Sequence, residues 1–77
     1  MDKFVIELDK CIEQLPPKCK EIFLLNECKK YVYKQIAKHL KISPKTVEAQ
    51  MTIALKRIRQ SMINILFSLF LSIEWHN

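Results

Sequence analysis

Lys45, Thr46, Glu48, Ala49, Gln50, Thr52, Lys56 and Arg57 fall within a stretch of thirteen residues, 45–57. Their side chains supply the donors, acceptors and charges needed to read a nucleic acid. A glutamine amide can pair with adenine, a carboxylate can accept from a cytosine amino group, and lysine or arginine neutralises phosphate whatever the sequence. At helical spacing these residues lie away from Val47, Met51, Ala54, Leu55 and Ile58, which form the inward stripe of the same segment. That chemistry works only if a rigid element presents the polar face to a groove.

The stretch Gln35 to Thr52, QIAKHLKISPKTVEAQMT, lays out such an element: a helix, a tight turn and a second helix. Ile36, Ala37 and Leu40 form the apolar face of the first helix, and Ile42 is the hydrophobic residue of the turn. A small residue is needed four positions before the turn, where the helices approach closely, and Ala37 provides it. An apolar residue ten positions after that alanine locks the second helix across the first, and Val47 provides it. Ser43 can accept a hydrogen bond from a backbone N–H at the start of the second helix, with Pro44 suited to its first position. The spacing is that of a DNA-reading helix-turn-helix.

Charge supports this reading. The chain of 77 residues carries a net charge of +5, unevenly spread. Met1 to Cys28 balances at −2, Lys29 to Arg59 carries nine Lys or Arg against Glu48 alone, and Gln60 to Asn77 adds only Glu74. The positive charge is thus concentrated on the helix-turn-helix, as an anionic partner requires. The chain has no glycine, which argues against tight hairpins and glycine-rich phosphate loops. The expected fold is all-α: a small four-helix domain containing a helix-turn-helix, with a three-helical bundle core.

The rest of the pattern fills in that bundle. Phe4, Val5 or Ile6, Leu8, Cys11, Ile12 and Leu15 predict a first helix over Asp2–Leu15, ended by Pro16 and Pro17. Pro17 opens a second helix reaching about Lys30, with Cys19, Ile22, Phe23, Leu25 and Cys28 on its buried face. A short third helix runs from Tyr33 to Leu40. The fourth carries the candidate contacts. Residues 1–61 read as the domain and 62–77 as an apolar helical tail; Met62 to Ile73 is shorter than the roughly 20 residues that span a bilayer. The tail is expected to pack on the bundle or on a partner. Cys11, Cys19 and Cys28 form no CxxC pair, so buried or half-buried thiols in a reducing cytoplasm are expected rather than a metal site. Met1 is followed by an acidic residue and no early apolar run, so no signal peptide is read.

LPPKCKEIFLL (Leu15 to Leu25), YKQIAKHLKIS (Tyr33 to Ser43) and KTVEAQMTIALKRIR (Lys45 to Arg59) together resemble region 4 of sigma-70-family factors, in particular the extracytoplasmic-function (ECF) group. The pieces stand in the family's order and spacing. The resemblance implies binding of the minus-35 promoter element, with the last helix in the major groove, and an apolar groove holding the flap of the RNA polymerase β subunit. An anti-sigma factor is a further partner of this class. Carried over by position, Lys45, Thr46, Glu48, Ala49, Gln50 and Thr52 would face base edges, with Ser43 at the head of the helix in the same DNA-binding set. Lys34, Lys56, Arg57 and Arg59 would lie nearer phosphates. Lys41 stands where the family's turn carries glycine, Lys30 where its preceding loop does, and Val32 where it has a small polar cap. A left-handed backbone at Lys41 would cost about 1 kcal/mol. The separate domain that binds the minus-10 element has no counterpart in these residues.

Two other readings compete. A LuxR-type output domain shares the four-helix layout, but the LPP entry and the ALKRIR exit favour the sigma reading. A protein-interaction module would use the Met62 to Trp75 tail to dock on polymerase or an anti-sigma factor, leaving the basic segment as solvated surface. Salt separates them, because phosphate-driven binding weakens steeply as salt rises and apolar docking does not. Catalysis is not expected. The chain has no Ser/His/Asp set, no carboxylate pair in an apolar setting and no phosphate loop, and His39 reads as a surface histidine. No cofactor is implied.

Overall fold

The computed structural model describes the backbone of residues 3–75 and the side chains of residues 3–71. Asp2, expected to open the first helix, and His76 lie outside the described residues, as do the side chains of Ile73, Glu74 and Trp75. Four helices follow one another: α1 (Lys3–Glu13), α2 (Pro17–Glu27), α3 (Tyr33–Leu40) and α4 (Pro44–Trp75). No strand occurs among the described residues.

α4 is the hub, packing against each of the other three helices, while α2 also meets α3. Its 32 residues extend about 48 Å at 1.5 Å per residue, which accounts for most of the molecule's 54 Å length. The core joins Leu15, Cys19, Ile22 and Phe23 to Ile36 and Ala37 of α3 and to Val47, Met51 and Ala54 of α4. Ile12, Leu24, Leu25, Tyr31, Leu40, Ile42 and Ile58 close over it. No polar or charged residue among those described is buried.

The ends of the helices differ from the sequence expectation for identifiable reasons. α1 stops at Glu13, and the chain tightens into a turn in which the Leu15 N–H donates to the Ile12 carbonyl at 3.1 Å. Leu15 leaves the helix but drops into the core. α2 ends at Glu27, three residues short of the expected Lys30. Lys30 takes φ = 61°, a left-handed conformation that no helix can continue through. The exit is held by the Tyr31 N–H on the Leu25 carbonyl (3.1 Å) and by the Asn26 side-chain amide on the Tyr31 carbonyl (2.9 Å). α3 spans the expected residues. Val32 has no capping side chain, and Gln35 compensates: its Oε1 accepts from the Val32 N–H at 2.9 Å.

Two burial expectations are corrected. Leu55, expected to face inward, is 41% exposed. Core contact on α4 follows Val47, Met51, Ala54 and Ile58, and at 3.6 residues per turn Leu55 falls on the edge of that stripe. Cys28 is exposed rather than half-buried, because it caps α2 where the chain turns away from the bundle. α1 buries none of its residues fully, and Phe4, Val5 and Ile6 remain exposed. The tail expected from Met62 continues α4 without a break.

Candidate nucleic-acid interface

The interface is built on the α3–α4 turn. Lys41 ends α3 at φ = 58°, ψ = 45°, the left-handed geometry that lets the chain reverse within two residues. The Ile42 N–H then donates to the Ala37 carbonyl at 3.0 Å, and Ile42 packs against the core. Ala37 is only 5% exposed where α3 lies against the buried faces of α2 and α4, so its single methyl sets how closely the elements approach. Val47, fully buried, locks the start of α4 across α3.

Ser43 then sets the first turn of α4. Its Oγ accepts from the Thr46 N–H at 3.0 Å and sits 2.9 Å from the Thr46 Oγ1. One of the free N–H groups at the helix start is thereby satisfied, an arrangement that contributes about 1 kcal/mol. Thr52 also bonds to its own helix, its Oγ1 donating to the Glu48 carbonyl at 2.9 Å. The hydroxyls of Ser43, Thr46 and Thr52 thus all have partners inside the chain.

The expected contact residues divide by helical phase. Lys45, Ala49, Thr52 and Lys56 share the side of α4 opposite Val47, Met51 and Ala54, with Glu48 at the edge of that face nearer Leu55, and all five are exposed. Thr46, Gln50 and Arg57 rise on one flank. There the Gln50 carbonyl accepts from the Cys19 thiol of α2 at 3.4 Å, and the Arg57 carbonyl accepts from the Cys11 thiol of α1 at 3.7 Å. Gln50 is accordingly half-buried, whereas Thr46 and Arg57 are exposed. Burial pushes the Cys19 thiol above its ordinary pKa, and the positive charge of Arg57 offsets part of that rise. Lys34 stands on a different element, in the first turn of α3, and is exposed there.

The field around this face is strongly one-signed. The ion pairs Lys10–Glu7, Lys18–Glu21 and Lys20–Glu13 all belong to α1 and α2. None of the described ion pairs involves Lys34, Lys38, Lys41, Lys45, Lys56 or Arg57, each of which is exposed. Positive charge on the α3–α4 unit is therefore left for an external anion. His39 is exposed as expected, its ring edge-on to Tyr31 with centroids 5.8 Å apart.

One residue of this surface is missing from the sequence expectation. Ile53 is 40% exposed and lies one turn beyond Ala49, so the two form an apolar strip beside the polar set. Its helical phase is the available signal: position 53 falls between the outer face and the Gln50 flank. Hydrophobicity alone gives it no role outside the core.

Comparison with known proteins agrees with this geometry. The family model described as Sigma-70, region 4 matches residues 6–58, covering most of α1, all of α2 and α3, and the first half of α4. Searches of curated proteins and of solved structures gave no match. With more than half of its residues matched, and with the helix-turn-helix intact inside the matched span, the chain belongs to the sigma-70 region 4 family.

Proposed function

We propose that this chain recognises a minus-35-type promoter element as region 4 of an ECF-type sigma factor, with the N-terminal half of α4 in the major groove. Region 4 is a DNA-binding, non-catalytic domain of the transcription machinery. The finer assignment rests above all on one observation. Lys45, Glu48, Ala49, Thr52 and Lys56 share an exposed face whose direction is set by the Ser43 cap and the left-handed Lys41 turn. Glu48 is poised for a cytosine amino group and Lys45 for a guanine edge or a phosphate. Ala49 and Ile53 offer apolar contact to a thymine methyl group. Gln50 reads from the flank, and Arg57, Lys34 and Arg59 neutralise backbone phosphates.

The same reading gives the protein side of the assembly. Leu24, Leu25 and Cys28 line a shallow apolar depression on the outer side of α2, rimmed by Glu21 and Lys29. This depression is our candidate seat for the RNA polymerase β flap, and an anti-sigma factor would compete for the surfaces used by DNA or polymerase. Residues 1–61 form the recognition domain in this scheme, with 62–77 as a docking tail. The place of action is the cytoplasm, where promoter DNA is found. No helix among the described residues is long and apolar enough to cross a membrane.

Fluorescence anisotropy against minus-35-like and scrambled duplexes at two salt concentrations tests the proposal. Glu48→Ala should change sequence preference, while Lys56→Ala should weaken every duplex alike and lower the salt slope by about 1. Equal, weak binding to all duplexes, unmoved by Glu48→Ala, would reduce the DNA role to charge alone. The protein-interaction reading would then take precedence, and it has its own support in the exposed apolar second half of α4.

A further inference from the structure

Beyond the matched span, α4 changes character without changing direction. At 3.6 residues per turn, Ile63, Leu66, Phe67 and Phe70 lie on the same outer side of the helix as Lys45, Thr52 and Lys56. They are 52%, 58%, 62% and 58% exposed. The opposite side of this half runs along α1, where Ser61, Ile65, Ser68 and Leu69 border a depression shared with Lys3 and Glu7. The helix is therefore lined by α1 on one side, where Ser61 and Ile65 are half-buried and Leu69 is still 44% exposed, and bare on the other.

We propose that this bare stripe pairs with the same stripe of a second copy of the chain, in antiparallel orientation, to form a symmetric dimer. Spacing is the first argument: Ile63, Leu66 and Phe70 follow one another at intervals of three and four, the seam spacing of paired helices. Area is the second. The four side chains expose roughly 500 Å² per copy, so their complete burial in a pair would remove about 1,000 Å² from water, the lower bound for a specific interface. Charge is the third and fixes the occupant. Residues 60–71 contain no charged side chain, so two copies meet without repulsion and no charged partner is called for. A lipid surface would want a basic polar face on this half of the helix, and it has none.

Charge also sets the orientation. Parallel pairing would bring Lys56 and Arg59 of the two copies face to face, with Lys45 and Lys45 beyond them. Antiparallel pairing sets Ile63 of one copy across from Phe70 of the other and carries the two basic halves away from each other. The DNA-facing residues of both copies then stay open, on opposite sides of the assembly, so one dimer can engage two duplexes.

Sedimentation equilibrium of the full chain without DNA tests this. The wild type should show a dimer, twice the monomer mass of 9.2 kDa. Ile63→Lys or Phe70→Glu alone should weaken it on the order of a hundredfold, because each substitution counts twice in a symmetric interface. Far-UV circular dichroism unchanged from wild type would show that the bundle survives. Both substitutions in one chain should restore the dimer. Antiparallel pairing sets the new ammonium at position 63 of one copy against the new carboxylate at position 70 of the other, whereas parallel pairing would set like against like. A wild type that stays monomeric, including one captured instead by neutral lipid vesicles, would overturn the proposal. A double variant as dissociated as the single ones would overturn the antiparallel arrangement.

Discussion

Replacing Lys41 by glycine should stabilise this protein, although it introduces the most flexible residue into a well-ordered turn. Lys41 sits at φ = 58°, ψ = 45°, and its side chain is exposed. An L-residue with a Cβ carries a cost of roughly 1–2 kcal/mol there, which glycine removes. Against that, glycine gives the unfolded chain more freedom, lowering stability by about 0.4–1 kcal/mol. The net expectation is a gain of roughly 0.5–1 kcal/mol, or a rise in Tm of a few degrees for a domain of this size. The opposite arm is Lys41→Val, whose branched side chain is poorly tolerated at positive φ and should cost more than about 1 kcal/mol. Thermal and urea unfolding followed at 222 nm measure both, with the urea slope confirming that the unfolded state is comparable. Lys30, at φ = 61° in a separate loop, provides an independent repeat, and the two glycine variants should add. If Lys41→Gly destabilised the domain and Lys41→Val were neutral, the left-handed turn would not be the device that aims α4.

Burial carries three further predictions. Val47→Ala should cost about 2–3 kcal/mol, because Val47 is fully buried, while Leu55→Ala should cost under about 1 kcal/mol at 41% exposure; equal costs in urea unfolding would refute the boundary drawn for the core. Cys28 should react with a thiol reagent fastest, Cys11 next and Cys19 last, as mass spectrometry of timed alkylation can show. Because burial raises the folded-state pKa of Cys19 above the ordinary value of 9.0, the folded form holds the proton more tightly. Its contribution to stability is therefore fully present below about pH 9 and is lost as pH rises through the raised value. Urea midpoints that fell between pH 8 and 10 equally in the wild type and in Cys19→Ala would remove Cys19 as the cause.

Much of the arrangement is legible from residue types because it depends on local rules. Ala37, Ile42 and Val47 at their mutual spacing define two helices and a turn, and a Ser-Pro pair can start a helix wherever it occurs. The separation of charge, with six acids before Lys29 and nine Lys or Arg against Glu48 alone from Lys29 to Arg59, can also be counted residue by residue. These properties belong to neighbours in sequence, so no tertiary contact is needed to see them.

Other features were decided only when the helices packed. Whether Leu55 or Ala54 faces the core depends on about one hundred degrees of rotation of α4, and a stripe containing both is compatible with either until α1, α2 and α3 are in place. Gln50 looks like its polar neighbours, yet α2 approaches that flank so closely that the Cys19 thiol reaches the Gln50 backbone carbonyl, and the residue is half-buried there. The end of α2 is set by the left-handed Lys30, a conformation a lysine adopts only when the fold imposes it. Likewise, the run from Met62 is apolar on any reading, but its composition cannot say which side stays bare. The packing of α1 along one side of α4 decided that, and it left Ile63, Leu66, Phe67 and Phe70 facing water on the same side as Lys45, Thr52 and Lys56.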